Sequence, residues 1–505
     1  MTSVANGIQA IDIIIICIYL AVVAAIGSLS GGRQRSTKDY FLGGSNVPWW
    51  AVSFAIVAAE TSTLTFISIP GLAYLTNLNF LQVTIGYLIG RIIVSFLFLP
   101  AYKKGNLVTA YSLLETRFGS QTRSFASVVF LVTRVAADGV RLFATSIPLA
   151  IIFKAFPLFS AFSNLQIYMV SILIIAGVTL LYTYTGGMKG IIWVDVLQMG
   201  IYIGGAVIAL VILFQRVPEG FAAVQHYAGA VNKFSFLNLS FRNFFAQPYT
   251  LIGSLIGGTF LSMSSHGTDQ LIVQRLLSTR NLRDGQKALI TSGVVVIFQF
   301  ALFLLVGLMM FAFFEGKAVG AIGSQFAKPD EIFPYFIIFH LPMGIKGLII
   351  AGLFAAAMST LAGSISSLSS SAMVDLYKPH FSPGNDESKD LWVSRMFSIF
   401  WAVILSLVAF LFIRVLQSVV EIALGIASIT YGGLLGTFLL GVLFKKPQQK
   451  DAIRGFAAGL ITMLLIILIP ILVGAAPIFH WTWYVLIGCS VTLLVGNLSF
   501  YLRKS

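Results

Sequence analysis

Runs of roughly 20 apolar residues recur along the whole chain, each long enough to cross about 30 Å of hydrocarbon as a helix. Lipid offers backbone groups no outside partner, so helices are the economical way across. The pattern predicts spans near 8–29, 48–75, 80–101, 122–155, 164–185, 189–215, 245–277, 285–315, 345–377, 390–414, 417–444, 452–475 and 480–502, about thirteen in all. The period-two alternation of an outer-membrane barrel is absent. Five spans over 48–215 match five over 245–444, leaving one extra helix in front (8–29) and two behind (452–502). Paired five-helix repeats of opposite orientation suit a transporter, because exchanging the conformations of the halves gives alternating access. Two connections, near 216–244 and 316–345, are longer than the rest and read as lids or spacers. No segment has room for a soluble domain, so 1–505 reads as a single all-α integral membrane domain.

Composition agrees: 58% of residues are hydrophobic and 10% charged, against about a quarter charged in a soluble chain. A net charge of +14 would suggest nucleic acid for a soluble protein. Here the basic residues sit in short loops and at helix ends, the positive-inside pattern, so no nucleic-acid partner is expected. The asymmetry places the N-terminus outside and the C-terminus in the cytoplasm of a multi-pass protein of the cell membrane. Cys17 and Cys489 fall within apolar runs, which speaks against a disulfide framework or a cysteine metal cluster. Met1 to Ala10 lacks the basic region of a signal peptide, so the first apolar run is expected to be retained.

Charged groups inside spans are costly and default to functional hypotheses. They are Glu60, Asp138, Arg141, Asp195, Asp269 and Glu421, with Arg91 and Arg134 nearer helix ends. Any one of them taken alone is equally well read as half of a structural ion pair. The run Ala58-Ala59-Glu60-Thr61-Ser62-Thr63-Leu64-Thr65 interrupts an apolar span. Such a run is expected where a helix unwinds at mid-membrane and frees carbonyls for a cation; the plainer reading is hydroxyls bonded back to the preceding turn. Residues 355–371 are mostly Ala, Gly and Ser, which lets helices approach closely. Within them, adjacent Ser359 and Thr360 offer two hydroxyl oxygens to a hard cation. Asp138, three residues before Arg141, reads first as its helical ion-pair partner.

Three longer motifs are more specific: Asp39-Tyr40-Phe41-Leu42-Gly43-Gly44 before Pro48-Trp49-Trp50; Tyr184-Thr185-Gly186-Gly187-Met188-Lys189-Gly190 continuing to Trp193-Val194-Asp195; and Asp269-Gln270-Leu271-Ile272-Val273-Gln274-Arg275. With them the chain resembles the sodium/solute symporter family, transporters of sugars, proline, sialic acid, vitamins and iodide, over nearly its whole length. The resemblance implies a LeuT-like fold and secondary active symport, with Na+ as the coupling ion and a small polar solute such as a sugar, sugar acid or amino acid. It places one sodium between the first and eighth core helices, held by the carbonyls of Ala58, Thr61 and Ala356 and the hydroxyls of Ser359 and Thr360. A second sodium, bound by some members through later hydroxyls and an aspartate matching Asp195, meets Ala362 and Gly363 here. Asp195, Asp138 and Asp269 are then coupling or structural acids. The candidate solute set is Glu60, Ser62, Thr65, Gln82, Thr84, Arg141, Ser262, Ser265 and His266; Arg141 lies on the third core helix several residues from the position of the arginine with which sialic-acid-transporting relatives hold a carboxylate, and Val296 stands where sugar-transporting relatives carry a lysine.

A membrane enzyme is disfavoured: the sequence shows no histidine–acid metal motif, no phosphate cradle and no nucleophile triad in context. Two alternatives of the same fold stay open, proton coupling through Glu60 or Asp195 and a transporter-like sensor acting through a separate partner. A monomer is expected.

Overall fold

The computed structural model describes residues 8–105, 107–154, 159, 161–217, 220–320, 326, 328–381, 386–413 and 419–504. Arg414 and the side chains of Lys154 and Glu421 lie outside them. The described chain is helical, with a single isolated bridge pairing Val47 with Thr279. Its main helices are α1 (Ala10–Ser30), α2 (Trp49–Glu60), α3 (Thr63–Leu75), α4 (Leu81–Leu97), α5 (Ser120–Lys154), α6 (Asn164–Arg216) and α7 (Leu251–Gly267). There follow α8 (Gln270–Leu277), α9 (Leu282–Phe313), α10 (Ile345–Ser371), α11 (Glu387–Phe412), α12 (Val419–Leu443), α13 (Gln449–Leu472) and α14 (Tyr484–Lys504).

Among the described residues, eight helices are long and apolar enough to span, or nine if the bent pair α2–α3 counts as one. That is fewer than the thirteen runs in the sequence, for physical reasons. The spans expected at 164–185 and 189–215 run on without a loop as α6, two helical segments that meet at a kink at Gly187. There φ is 55°, and an added Cβ would stand 2.7 Å from the Tyr40 carbonyl oxygen, so only glycine suits the kink. The span expected at 245–277 divides into α7 and α8, because Asp269 takes a non-helical conformation and caps α8, accepting from the Leu271 amide at 2.9 Å. α5 carries Arg123, Arg134, Asp138 and Arg141, which lowers its hydropathy without shortening it.

α10 is the buried centre, packed against α1, α5, α6 and α11. Its serines each find a partner: Ser366 accepts from Gln274 (3.0 Å), Ser370 from Gln270 (3.1 Å), and Ser371 donates to Asp375 (2.9 Å). The small-residue run thus serves close packing and interhelical bonding together. At the other end of α10, buried Asp12 of α1 accepts the amides of Gly344 (2.8 Å) and Gly347 (2.9 Å), capping the helix from a different span. α12, α13 and α14 pack on one another at the periphery, with α12 also against α5.

Candidate functional site

The first core helix breaks where its polar run sits. The amide of Thr61 still bonds Val57 O (3.0 Å), but that of Ser62 turns back to Glu60 O (3.1 Å), so the carbonyl of Ala58 loses its i+4 donor. Ser62 then caps α3, accepting from the Thr65 amide at 3.3 Å, and the two halves meet at 63°. α10 faces this break: Thr360 Oγ1 lies 3.5 Å from Ala59 O and 3.2 Å from Ala356 O. Ser359 donates its hydroxyl proton to Asp195 Oδ1 at 2.6 Å, which leaves the oxygen's lone pairs available. Ala58, Ala356 and Ser359 are fully buried, with Thr61 1% and Thr360 5% exposed. This donor set is all oxygen, two hydroxyls and main-chain carbonyls of which that of Ala58 is freed by the break, and its chemistry suits a sodium ion. Among the described residues, no trio of His, Cys, Asp or Glu gathers as a metal cluster.

Behind Ser359, Asp195 is held by Arg275, whose Nη2 and Nε lie 3.0 and 3.2 Å from Oδ2, both side chains fully buried. The guanidinium needs the glycine at 363, since a Cβ there would lie 2.9 Å from both Nη atoms. On the other flank, Gln299 of α9 donates to Thr61 Oγ1 at 2.6 Å, and its own Oε1 has no hydrogen-bond partner.

A cavity of about 460 Å³ adjoins the break. Its wall carries the hydroxyls of Ser62, Thr65, Ser68, Ser262 and Ser265, together with Glu60, Arg141 and His266. Phe80 and Phe300, stacked at 5.2 Å, and Tyr249 form an aromatic side. It reaches Leu75, Pro329, Asp330 and Trp481 at the end of the bundle holding the two long connections. Glu60 is paired with buried Arg91, which also donates to Ser292 at 2.7 Å, and His266 Nε2 stands 3.6 Å away. At the cavity floor Arg134 links Asp138 (3.3 Å) and Asp269 (3.1 Å), and Tyr431 donates to Asp269 (2.8 Å). Arg141, 3.1 Å from Asp138, keeps 26% of its side chain exposed.

Comparison with known proteins decides what this arrangement belongs to. The model of the sodium:solute symporter family matches residues 40–459. The chain belongs to that family. This symporter is 27% identical to a sodium/sialic acid symporter of Aliivibrio fischeri, over 99% of this chain and 95% of that one. It is likewise 27% identical to a sodium/glucose cotransporter of Vibrio parahaemolyticus, over 99% and 92%. A solved structure described as the substrate-bound outward-open state of a Na+-coupled sialic acid symporter superposes with a TM-score of 0.83, at 26% identity and 98% coverage of both chains. The fold is therefore the LeuT-like one, and the protein is a sodium-coupled solute symporter rather than an enzyme.

The symporter's expected residues do not all converge. Of the expected ion ligands, Thr360 is the one bonded across to the break, at Ala59 O, while Ser359 bonds Asp195 and Thr61 bonds Gln299; Glu60, Ser62, Thr65, Arg141, Ser262, Ser265 and His266 line the cavity. Gln82 and Thr84 do not: Gln82 donates to Tyr249 O (3.0 Å) and Asn79 O (3.1 Å), and Thr84 turns back to Leu81 O (2.8 Å). Asp195 lies behind Ser359, away from the cavity. Asp138 and Asp269 both bond to Arg134, and Asp269 also lines the cavity floor. Sequence reasoning left Arg91, Gln299, Arg275 and the Phe80–Phe300 stack without roles. The charge inside a span was a signal for Arg91, but nothing local pointed to the aromatic pair.

Away from the cavity mouth the symporter is sealed. Gln274 bridges Phe41 O (2.8 Å) and Ser366, while Gln270 bridges Val108 O (3.2 Å) and Ser370. Tyr40 of the short helix Thr37–Leu42 bonds Ser398 (2.9 Å).

Proposed function

We propose that the symporter carries a carboxylate-bearing, hydroxyl-rich solute such as a sugar acid, coupled to one sodium per cycle. The observation behind the solute class is Arg141, a guanidinium in the cavity wall with a quarter of its side chain still exposed among hydroxyls. Such a fork matches a carboxylate, while the serines and Glu60 suit the hydroxyls or amine of the rest. Two of the similar proteins are sialic-acid symporters, and sialic acid is itself an acidic sugar.

One sodium rather than two is supported by the Ala362–Gly363 pair, which supplies no hydroxyl, and by the Arg275 charge beside Gly363. Its ligands in this reading are the carbonyls of Ala58, Thr61 and Ala356 and the hydroxyls of Ser359 and Thr360. Glu60 and Asp195 each already face a buried guanidinium as counter-ion, which favours sodium over proton coupling. An ion shared by the α2–α3 break and α10 favours the state in which they are apposed, and that state has the cavity formed. Solute then closes the mouth and the seal around Gln270 and Gln274 opens. Coupling follows because each ligand binds the two states with different affinity.

The same reading takes 48–215 and 245–444 as the inverted repeats, with the N-terminus outside, the C-terminus in the cytoplasm and a monomer as the working unit. The test is a thermal-shift screen of sugar acids, amino acids and neutral sugars with and without sodium, followed by uptake into proteoliposomes. Acidic solutes should stabilise only with sodium, and Arg141→Gln should abolish that response. Equal stabilisation by neutral sugars would refute the solute class, and uptake driven by a pH gradient alone would refute sodium coupling.

A further inference from the structure

The connection between α6 and α7 forms one edge of the cavity mouth. Tyr249, at its end, lines the cavity. Gln82 holds it from α4, donating to Tyr249 O (3.0 Å) and accepting from the Asn238 amide (3.2 Å). Lys233 reaches from it to the end of α3, donating to Tyr74 O (2.6 Å) and Thr76 O (2.9 Å) with its ammonium 4.1 Å from the Phe311 ring. A positive group at a helix C-terminus is favourable, so this is a cap supplied by the loop.

The opposite side of the same segment is apolar and uncovered. Phe236 is 53%, Leu239 64%, Phe241 71% and Phe245 51% exposed. A patch of that kind facing water is unusual in a folded protein. It continues into the lipid-facing surface: the amide of His480 bonds Phe245 O (2.7 Å), Phe245 meets Phe479 at 5.7 Å, and beyond them Leu472 and Ile478 are 80% and 69% exposed. No acidic residue lies between 220 and 250, whereas Lys233 and Arg242 do, a balance that suits lipid headgroups.

We infer that residues 234–245 are a membrane-seated rim, with Phe236, Leu239, Phe241 and Phe245 buried in the headgroup–acyl boundary of the bilayer. The seat fixes one edge of the cavity mouth, through Tyr249, and the end of α3, through Lys233. Lipid packing at this edge thereby acts on how readily the mouth closes.

The test uses the full chain with Cys17→Ala and Cys489→Ala, carrying Phe241→Cys or Leu239→Cys labelled with an environment-sensitive NBD probe. Lys328→Cys, on the other long connection, is the reference. In liposomes of phosphatidylcholine and phosphatidylglycerol, the probe at 241 and 239 should emit to the blue of that at 328. Lipids bearing a nitroxide near the headgroup should quench it by about twofold or more, as expected for a side chain at the interface. Emission matching position 328, with quenching by aqueous iodide, would overturn the inference. A blue shift that lipid nitroxides fail to quench would also overturn it, assigning the face to a protein partner or a second copy. Labelling at two positions guards against one substitution disturbing the rim.

Discussion

Replacing Ser359 by Ala separates the ion site from the packing around it. The hydroxyl has two tasks: it donates to Asp195 at 2.6 Å, both residues fully buried, and in the proposed site it offers an oxygen to the cation. A buried hydrogen bond to a charged group contributes about 1.5–3 kcal/mol. The Asp195 bond exists without the ion and cancels from the affinity, but losing an oxygen–cation contact of similar strength from the ion-bound state alone weakens sodium binding roughly 10- to 150-fold, at about 1.4 kcal/mol per decade. The control is Ser367→Ala, the same chemical change on the same buried helix, where the hydroxyl only returns to Ser364 O at 3.2 Å. Thermal stability of the purified protein, titrated with sodium at constant ionic strength, reads the affinity without knowing the solute. Ser359→Ala should move the sodium midpoint by at least about tenfold and Ser367→Ala by less than about twofold, the margin a neutral short-range bond allows. Equal shifts in the two variants, or a Ser359→Ala midpoint within that margin, would refute the placement of the ion.

Arg275→Met leaves the Asp195 carboxylate buried with only Ser359, and should lower stability by about 3–5 kcal/mol; adding Asp195→Asn should restore much of the loss, read as the melting temperature in detergent. Gln299→Leu removes the 2.6 Å bond to the Thr61 hydroxyl, present without the ion, and should lower stability by about 0.5–1.5 kcal/mol, read as the melting temperature in sodium-free buffer. Just ahead of the observed Trp481–Arg503 span, burial pushes the His480 imidazole from its usual 6.5 down to about 4. The unfolded chain therefore binds the extra proton between these values, so stability should fall by about 1.4 kcal/mol per pH unit on acidification through that window. His480→Gln should flatten the slope in a pH series of melting temperatures.

The features legible in the sequence are those encoded by neighbouring residues. Apolar runs mark the helices, and the hydroxyls of 61–65 mark the place where one of them breaks. The nearness of Thr360 to that break was readable because both sit in short, distinctive runs. What stayed hidden depends on residues far apart in the chain. Glu60 and Arg91 are 31 positions apart, and Asp195 and Arg275 are 80 apart. Each looked like an isolated charge until packing supplied its counter-ion. Gln82 shows the reverse error. It is a polar residue on a core helix near the cavity, yet its amide is used up by the loop above it. Only the tertiary path of that loop distinguishes the two uses. Gly363 reads as the loss of a hydroxyl, and its positive role, making room for the Arg275 guanidinium, appears only in three dimensions.

The cap that Asp12 places on α10 bears on how the protein is handled in the laboratory. Trimming the first helix past Asp12 to ease expression would strip the amides of Gly344 and Gly347 of their acceptor. The damage would surface at the far end of the most buried helix, on the element that carries Ser359 and Thr360. A shortened version that expresses well but ignores sodium would thus be a defect of the missing helix.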